Sequence, residues 1–540
     1  MWYLLLVQTF ISFRSPSQTV VIQSSNLPLI IINTNGQKIV DEPKIEADMG
    51  IIFNGEGVRN HITDSFNHYN GKVGIELRGK SSQYYPQKPY TIELHDALGQ
   101  EQQVSLFGMH KESDWVLHAP FADKSLMRNA LAYTMSREMG RWAPRGRHVE
   151  LILNGEYMGI YVLFEKIKWG NGRVEIAKMT DQDNSGDEIT GGYIFSLDKA
   201  PNGWFSRFPV PNAPTNGTKQ FSYVYPRPQY ITELQKSYIQ TVVDAFETSL
   251  WSANFQDPQK GYKKYIDQSS FVDHMLINEI SRNVDAYRSS SYYYKDRDSR
   301  DPKIYAGPIW DFDLAFRNAD FCNGSEIGGW AYNFNYVCPS DGAGLNPFWW
   351  ERFLKDSIFQ GELRCKFKSL TTNQFSLTRI NSIIDSISST LSEAQVRHFT
   401  RWPILGTYVW PNPQPLATTY AMELQYLKNW ISERINWMSY SLPNNGACYD
   451  FPTLEQGSLI VKAFPVPLNT SSLLNIQSKF SQNIDLTVTD LSGRLVQKKT
   501  ISLLYGVNRI LLNSDAWNKG IYFIQIMNNK KETIRIKVLK

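Results

Sequence analysis

Short strand-like stretches dominate the early chain: residues 73–77 and 90–94, in which apolar and polar residues alternate, and 29–32, 149–153 and 160–164, which are mostly apolar runs, the last two joined through Asn154-Gly155. Alternation with period two, bounded by turn residues, predicts strands, and Asn-Gly between two of them predicts a tight hairpin. Residues 123–139 break the rhythm, with Leu126, Met127, Ala130, Leu131 and Met135 at helical spacing and Gly140 as the stop. The expectation here is a sheet with one helix laid on it. From Ile231 the spacing turns helical, first through Leu234, Tyr238, Val242, Phe246 and Leu250, then through Phe271, Met275, Leu276 and Ile280, and again across 424–438. After Cys448 the texture changes once more. Residues 485–489, 510–513, 522–527 and 533–539 alternate between turn signals at Ser492-Gly493, Gly506 and Lys519-Gly520, the pattern of a small all-β sandwich.

At 540 residues the chain has room for three to four units of roughly 150 residues, or for one large catalytic domain and an appendage. Lys plus Arg number 56 against 52 Asp plus Glu, so the charge gives no reason to expect nucleic acid as a partner. Trp2 to Phe13 is apolar but too short to span a membrane, and Ser15-Pro16-Ser17 after it suits signal peptidase. Residues 1–18 therefore read as a secretory signal, with no transmembrane segment in the mature chain. In an exported protein the four cysteines read as disulfides. Cys322 and Cys338, which bound a short loop rich in Gly and Asn, are the preferred pair among three connectivities.

Two clusters carry candidate chemistry. Asn278-Glu279-Ile280-Ser281-Arg282-Asn283-Val284-Asp285 closes a helix, a hairpin from Tyr292 follows, and Trp310-Asp311-Phe312-Asp313 comes next. A carboxylate past a helix, a hairpin, then a second carboxylate is the order in which a kinase large lobe places its proton acceptor and its metal-binding Asp. Alternatively, Asp285 caps a turn, and Asp311 and Asp313 flank an apolar Phe312 on a strand. The second cluster is Arg78-Gly79-Lys80-Ser81-Ser82 with Lys88 ahead of the next strand. Amides near Gly79, the two Ser hydroxyls and the cations could cradle phosphates, although a solvated basic hairpin has the same composition. Arg128 would sit one turn into the 123–139 helix, facing a cleft, with Asp123 alternatively its N-cap.

Taken in order, Arg78-Gly79-Lys80-Ser81-Ser82, Asp114-Trp115, Asp123 to Asn129, Asn154-Gly155-Glu156-Tyr157-Met158-Gly159, Glu165-Lys166, Gly191-Gly192-Tyr193 and Trp310-Asp311-Phe312-Asp313-Leu314 resemble the CotH family of atypical, spore-coat-type protein kinases. The resemblance implies an α+β fold with a bilobal kinase-like domain over 19–450, its sheet-rich lobe running to about 225 and its helical lobe after. It further implies phosphate transfer from ATP, with Mg²⁺ or Mn²⁺, to Ser or Thr of an acceptor protein. By position, Asp285 matches the catalytic base, Asp311 the metal ligand with Asp313 in support, and Lys88 the phosphate-binding Lys, with Arg78, Gly79, Ser81, Ser82 and Arg128 around the nucleotide. Gln87 and Ser290 depart from the family pattern, Ser290 standing where a kinase catalytic loop has its metal-binding Asn.

The end of the chain, with Lys519-Gly520-Ile521-Tyr522 and a basic terminus, resembles the C-terminal sorting domain of the type IX secretion system. It is assigned to 464–540 behind a 451–463 linker, and implies the outer-membrane translocon as partner and a secreted or surface location. Two further readings stay open: a kinase-like scaffold with a decayed nucleotide site, and a glycosidase using Asp285 with Asp311 or Asp313, the latter suggested by the 13% aromatic content.

Overall fold

In the computed structural model the described residues are 20–198, 203–214, 217–257, 259–338, 344–443, 459–464, 467–468, 472–478, 482–503, 506–512, 514–528 and 531–540. The proposed signal, residues 1–18, and most of the 451–463 linker lie outside them. The chain divides into two units, one comprising the chain through Met127 with Arg145–Lys166 and Ile384–Leu427, the other Arg128–Pro144, Ile167–Ile383 and Lys428–Lys540.

The first unit is built on a closed barrel of β1 (Leu29–Asn33), β2 (Ile45–Ile52), β3 (Tyr69–Leu77), β4 (Tyr90–His95), β5 (Asp114–His118), β6 (Gly146–Leu153) and β7 (Glu156–Glu165). Their order around the barrel is β1-β2-β3-β4-β5-β7-β6, and β6 closes it by pairing parallel to β1, Leu29 opposite Glu150. Alternate residues point inward, so Ile30, Ile32, Met49, Val73, Ile92, Trp115, Leu151 and Leu163 share one core. The β6–β7 hairpin turns at Asn154 and Gly155, both at positive φ (51° and 79°), as the Asn-Gly signature requires.

Barrel closure replaces the expected sheet, and the expected helix is grouped with other parts of the chain. Helix α1 (Arg128–Glu138) falls in the second unit, where it packs on α3 (Gln268–Ser281), and it starts five residues later than expected. The preceding segment is a turn in which the Ser125 amide and hydroxyl donate to Asp123 Oδ1 at 3.1 and 2.6 Å, so Asp123 caps that turn and not the helix.

The second unit holds a five-stranded antiparallel sheet of β8 (Tyr193–Leu197), β9 (Gly203–Pro209), β10 (Thr218–Tyr225), β11 (Ser291–Lys295) and β12 (Ile304–Ala306), ordered β9-β10-β8-β11-β12. The strands before residue 225 thus belong with the helical region, paired to β11, and the sheet-rich part that stands alone ends at Lys166. Helices α2 (Glu233–Trp251), α3 and α4 (Ser357–Thr372) follow the sheet, α2 opening on a capping box of Thr232 and Gln235. α5 (Leu377–Leu391) and α7 (Tyr420–Ser441) run across the boundaries of the division, and α6 (Ala394–Arg401) lies within the barrel unit. There α6 approaches β7 so closely that a Cβ on Gly159 (φ 96°) would stand 2.9 Å from His398 Nδ1, which accepts the Ile160 amide.

The C-terminal part is all β. β13 (Leu459–Phe464), β14 (Leu473–Ser478) and β17 (Gly506–Leu511) form one sheet. β15 (Gln482–Asp490), β16 (Leu495–Leu503), β18 (Ile521–Asn528) and β19 (Thr533–Leu539) form the other, and a single apolar core serves both. Leu459 to Ala463 fall within the expected linker, yet Leu459–Phe464 is a strand with Leu459 and Val461 in that core. Cys322 and Cys338 are joined as expected, closing a sequence separation of 16. Among the described residues no helix is long and apolar enough to cross a membrane.

Candidate functional site

In the second unit α3 ends at Arg282, whose left-handed backbone (φ 45°) turns the chain into Asn283-Val284-Asp285. Asn283 binds two loops at once. Its Oδ1 accepts the Asp285 amide at 3.1 Å, and its Nδ2 donates to the Asp311 carbonyl at 3.4 Å. A second tie follows from Ser290, whose hydroxyl donates to Asp311 Oδ2 at 2.9 Å. Asp285 and Asp311 are thereby brought onto adjoining, cross-linked loops.

The Asp285 side chain keeps 31% of its exposure, and desolvation raises its carboxyl pKa. Arg288 opposes the rise, Asp198 adds to it and Lys219 opposes it. Arg288 lies 3.9 Å from Asp285 Oδ1 and also donates to Cys322 Sγ at 3.6 Å. Lys219, 1% exposed on β10, donates to the Arg288 carbonyl.

Asp311 and Asp313 follow the hairpin in the expected order, and the alternative, in which they flank Phe312 on a strand, does not hold. β12 stops at Ala306, and both lie in the irregular segment beyond it, Asp311 at φ 56°, a conformation that no strand accommodates. Helix α1 supports this segment. Tyr133 stacks on Trp310 (6.0 Å, 24°) while its hydroxyl accepts the Asp311 amide at 3.2 Å, and Asn129 Oδ1 accepts the Phe312 amide at 2.6 Å. Asn318 Nδ2 donates to the Asp313 carbonyl at 2.7 Å. Arg128 is the first residue of α1, not one turn in, and is 1% exposed with Nε donating to the Phe316 carbonyl at 3.3 Å. It holds this loop from within. Tyr133, Lys219 and Arg288 were missed by the sequence reading, because a residue that serves a loop far along the chain leaves no local spacing signal.

In the first unit, Arg78 and Gly79 follow β3, and the Arg78 amide donates to the Pro89 carbonyl at 3.0 Å. Gly79 (φ 85°) leads through Lys80 into a helical turn at Ser81–Tyr84, and a Cβ at Gly79 would collide with Ser82 Oγ at 2.1 Å. Gln83 Nε2 donates to the Gly79 carbonyl at 2.5 Å, and Lys88 Nζ donates to the Gln83 carbonyl at 2.6 Å. The loop is therefore closed on itself with Lys88 inside its curve, two residues ahead of β4, and partial burial lowers the Lys88 pKa. The neighbouring Gln87 is buried and donates to the Ile160 carbonyl at 2.8 Å, which accounts for an amide in place of a cation at that position.

Asp285, Asp311, Asp313 and Ser290 offer only oxygen donors. Among the described residues no group of three or more His, Cys, Asp or Glu side chains is gathered so as to hold a metal. A hard-oxygen set of one or two carboxylates fits Mg²⁺ or Mn²⁺ held jointly with phosphate oxygens.

Residues 75–438 match the model of the CotH kinase protein family. With well over half of its length covered, the chain belongs to that family. Residues 462–540 match the secretion system C-terminal sorting domain, the mark of a protein addressed for export. No curated protein matches the chain.

Proposed function

We propose that this is an exported atypical protein kinase, with a kinase-like fold over 19–450, that transfers the γ-phosphate of ATP to Ser or Thr hydroxyls of surface or co-exported proteins. The observation that supports it is the Ser290 and Asn283 cross-link between the Asp285 and Asp311 loops, with the Asp285 pKa raised. Asp285 accepts the proton of the acceptor hydroxyl as its oxygen bonds to phosphorus and the bond to the β,γ-bridging oxygen breaks; a carboxyl pKa above the usual range brings its basicity closer to that task. Asp311, with Asp313 in support, would hold Mg²⁺ or Mn²⁺, which when bound neutralises phosphate charge. Lys88, Arg78 and the Gly79 turn with Ser81 and Ser82 would offset the charge of the phosphates, and Arg128 would brace the Asp311 segment. The C-terminal domain would be read by a type IX translocon, giving a secreted or surface location.

The test is transfer from labelled ATP to a generic acceptor such as casein and to native surface proteins, with Mg²⁺ or Mn²⁺. Metal-dependent labelling that Asp311→Asn abolishes is expected. One observation favours a second reading, a scaffold serving in adhesion or coat assembly: Ser290 puts a hydroxyl, already engaged with Asp311 Oδ2, where a metal-binding amide would stand. ATP binding without transfer to any acceptor would decide for the scaffold.

A further inference from the structure

A cavity of about 880 Å³ opens in the second unit, and most of its wall comes from the loop that Cys322 and Cys338 close. Asn323, Glu326, Trp330, Tyr332 and Tyr336 line it from that loop, with Arg282 and Glu351 across from them. None of the residues given a role in phosphate transfer takes part.

The site is held in shape before any ligand arrives. Glu279 on α3 accepts the amides of Ala331 and Tyr332 at 2.8 and 2.9 Å and the Tyr287 hydroxyl at 3.1 Å. The Arg434 guanidinium lies 5.7 Å from the Trp330 ring and 4.6 Å from that of Trp437. Trp330 and Tyr332 stack at 6.2 Å and 27°, which sets an aromatic platform in the wall, and Tyr336, 55% exposed, stands at the rim.

The polar groups come as a donor and an acceptor with capacity left over. Arg282 is 3% exposed; Nε donates to the Asn323 carbonyl and Nη1 to the Gly329 carbonyl, while Nη2 has no acceptor among the described residues. Gly329 (φ 83°) leaves room for this, since a Cβ there would lie 3.0 Å from Nη1. Glu351 Oε1 is buried with no hydrogen-bond partner among the described residues, and Oε2 accepts from Tyr336 at 3.4 Å. Burial raises the Glu351 pKa, with Tyr336 and Lys355 opposing. Arg282 offsets part of the charge of Glu326 and Glu351, and Arg434 behind the wall pairs with Glu279 at 3.5 Å, so no strong charge of either sign selects an ion.

An aromatic platform flanked by one spare donor and one spare acceptor, without strong charge of either sign, matches a ring with an apolar face and hydroxyls at its edge. We propose that this cavity binds a short neutral saccharide, its ring face on Trp330, Tyr332 and Tyr336 and its hydroxyls on Arg282 Nη2 and Glu351 Oε1. The volume suits two or three sugar units. It is a binding site separate from the phosphate-transfer residues, and would hold the protein to a glycan at the place of its action.

The test is calorimetric titration of the full, oxidised chain with neutral trisaccharides of glucose, mannose, galactose and N-acetylglucosamine, and with a Lys-rich peptide as the competing class. Saturable binding of at least one trisaccharide in the millimolar range or tighter is expected, weakened about tenfold by Trp330→Ala and less by Tyr336→Ala. Neither variant should change ATP binding, which also reports that each is folded, and the exposed Tyr336 serves if Trp330→Ala is not. Failure of every trisaccharide to bind, binding indifferent to both substitutions, or binding of the basic peptide alone would overturn the proposal.

Discussion

The Ser290 hydroxyl donates to Asp311 Oδ2 at 2.9 Å, and both residues hold left-handed backbone, φ 49° and 56°. Such conformations are uncommon outside glycine, so the contact rests on two turns that the surrounding structure enforces. Its effect is to orient the carboxylate assigned to the metal.

A group that orients a metal-binding carboxylate influences affinity without touching the ion. Ser290→Ala is therefore expected to raise the Mg²⁺ concentration needed for half-maximal ATP binding by about tenfold. Ser290→Asn, whose side chain tolerates the left-handed region and carries a donor, should restore most of it. The measurement is nucleotide binding across a Mg²⁺ series. Identical midpoints for wild type and Ser290→Ala would show that the hydroxyl does not position Asp311.

Glu247 on α2 is 1% exposed, accepting from Ser206 and from Trp349 Nε1, both at 2.8 Å, and burial pushes its pKa up to about 7. A carboxyl whose folded pKa exceeds its unfolded one binds more protons when folded. Its stabilising contribution is complete below about pH 4.5 and is lost as pH rises through 7. Relative to Glu247→Gln, which keeps a donor and an acceptor, wild type should lose on the order of 2 to 3 kcal/mol between pH 5 and pH 8. Denaturant midpoints at the two pH values measure this. Parallel changes in both proteins would mean that Glu247 does not titrate in the folded state over that range.

The C-terminal domain is expected to need its first strand for export. β13 pairs along its length with β14, from Leu459 opposite Ser478 to Phe464 opposite Leu473. A reporter carrying residues 459–540 is expected to be exported by a host with a type IX translocon, whereas one carrying only 465–540 loses an edge strand and buried Leu459 and Val461. Secretion assays on the two fusions test the boundary. Equal export of both would show that recognition does not require β13.

The parts legible in the sequence were those written in consecutive residues. Asn154-Gly155 announced its hairpin, the apolar spacing from Leu234 to Leu250 announced α2, and two cysteines around a short loop announced their bond. What escaped was pairing at a distance. Nothing local in Leu29 marks it as the parallel partner of Glu150, so a barrel read as a sheet, and β8 to β10 were assigned to the wrong unit because their partner β11 lies beyond two helices. At the site, the carboxylates Asp285 and Asp311 stood out as a pattern of charged residues. Tyr133 and Lys219 did not, since a buried tyrosine on a helix and a lysine on a strand look ordinary until the loops they support are placed against them. Arg128 stood out as a cation beside a motif, whereas its hydrogen bond to the Phe316 carbonyl, far along the chain, left no local signal.

The division of labour between Asp285 and Asp311 is tested most directly by one comparison, Asp285→Asn against wild type, with ATP binding and phosphate transfer measured on the same preparation in Mg²⁺. A base acts on the acceptor and not on the donor, so the expected result is ATP affinity within about twofold of wild type and transfer reduced by at least about a hundredfold. Transfer by Asp285→Asn at the wild-type rate, or wild type that binds ATP yet labels no acceptor, would contradict it.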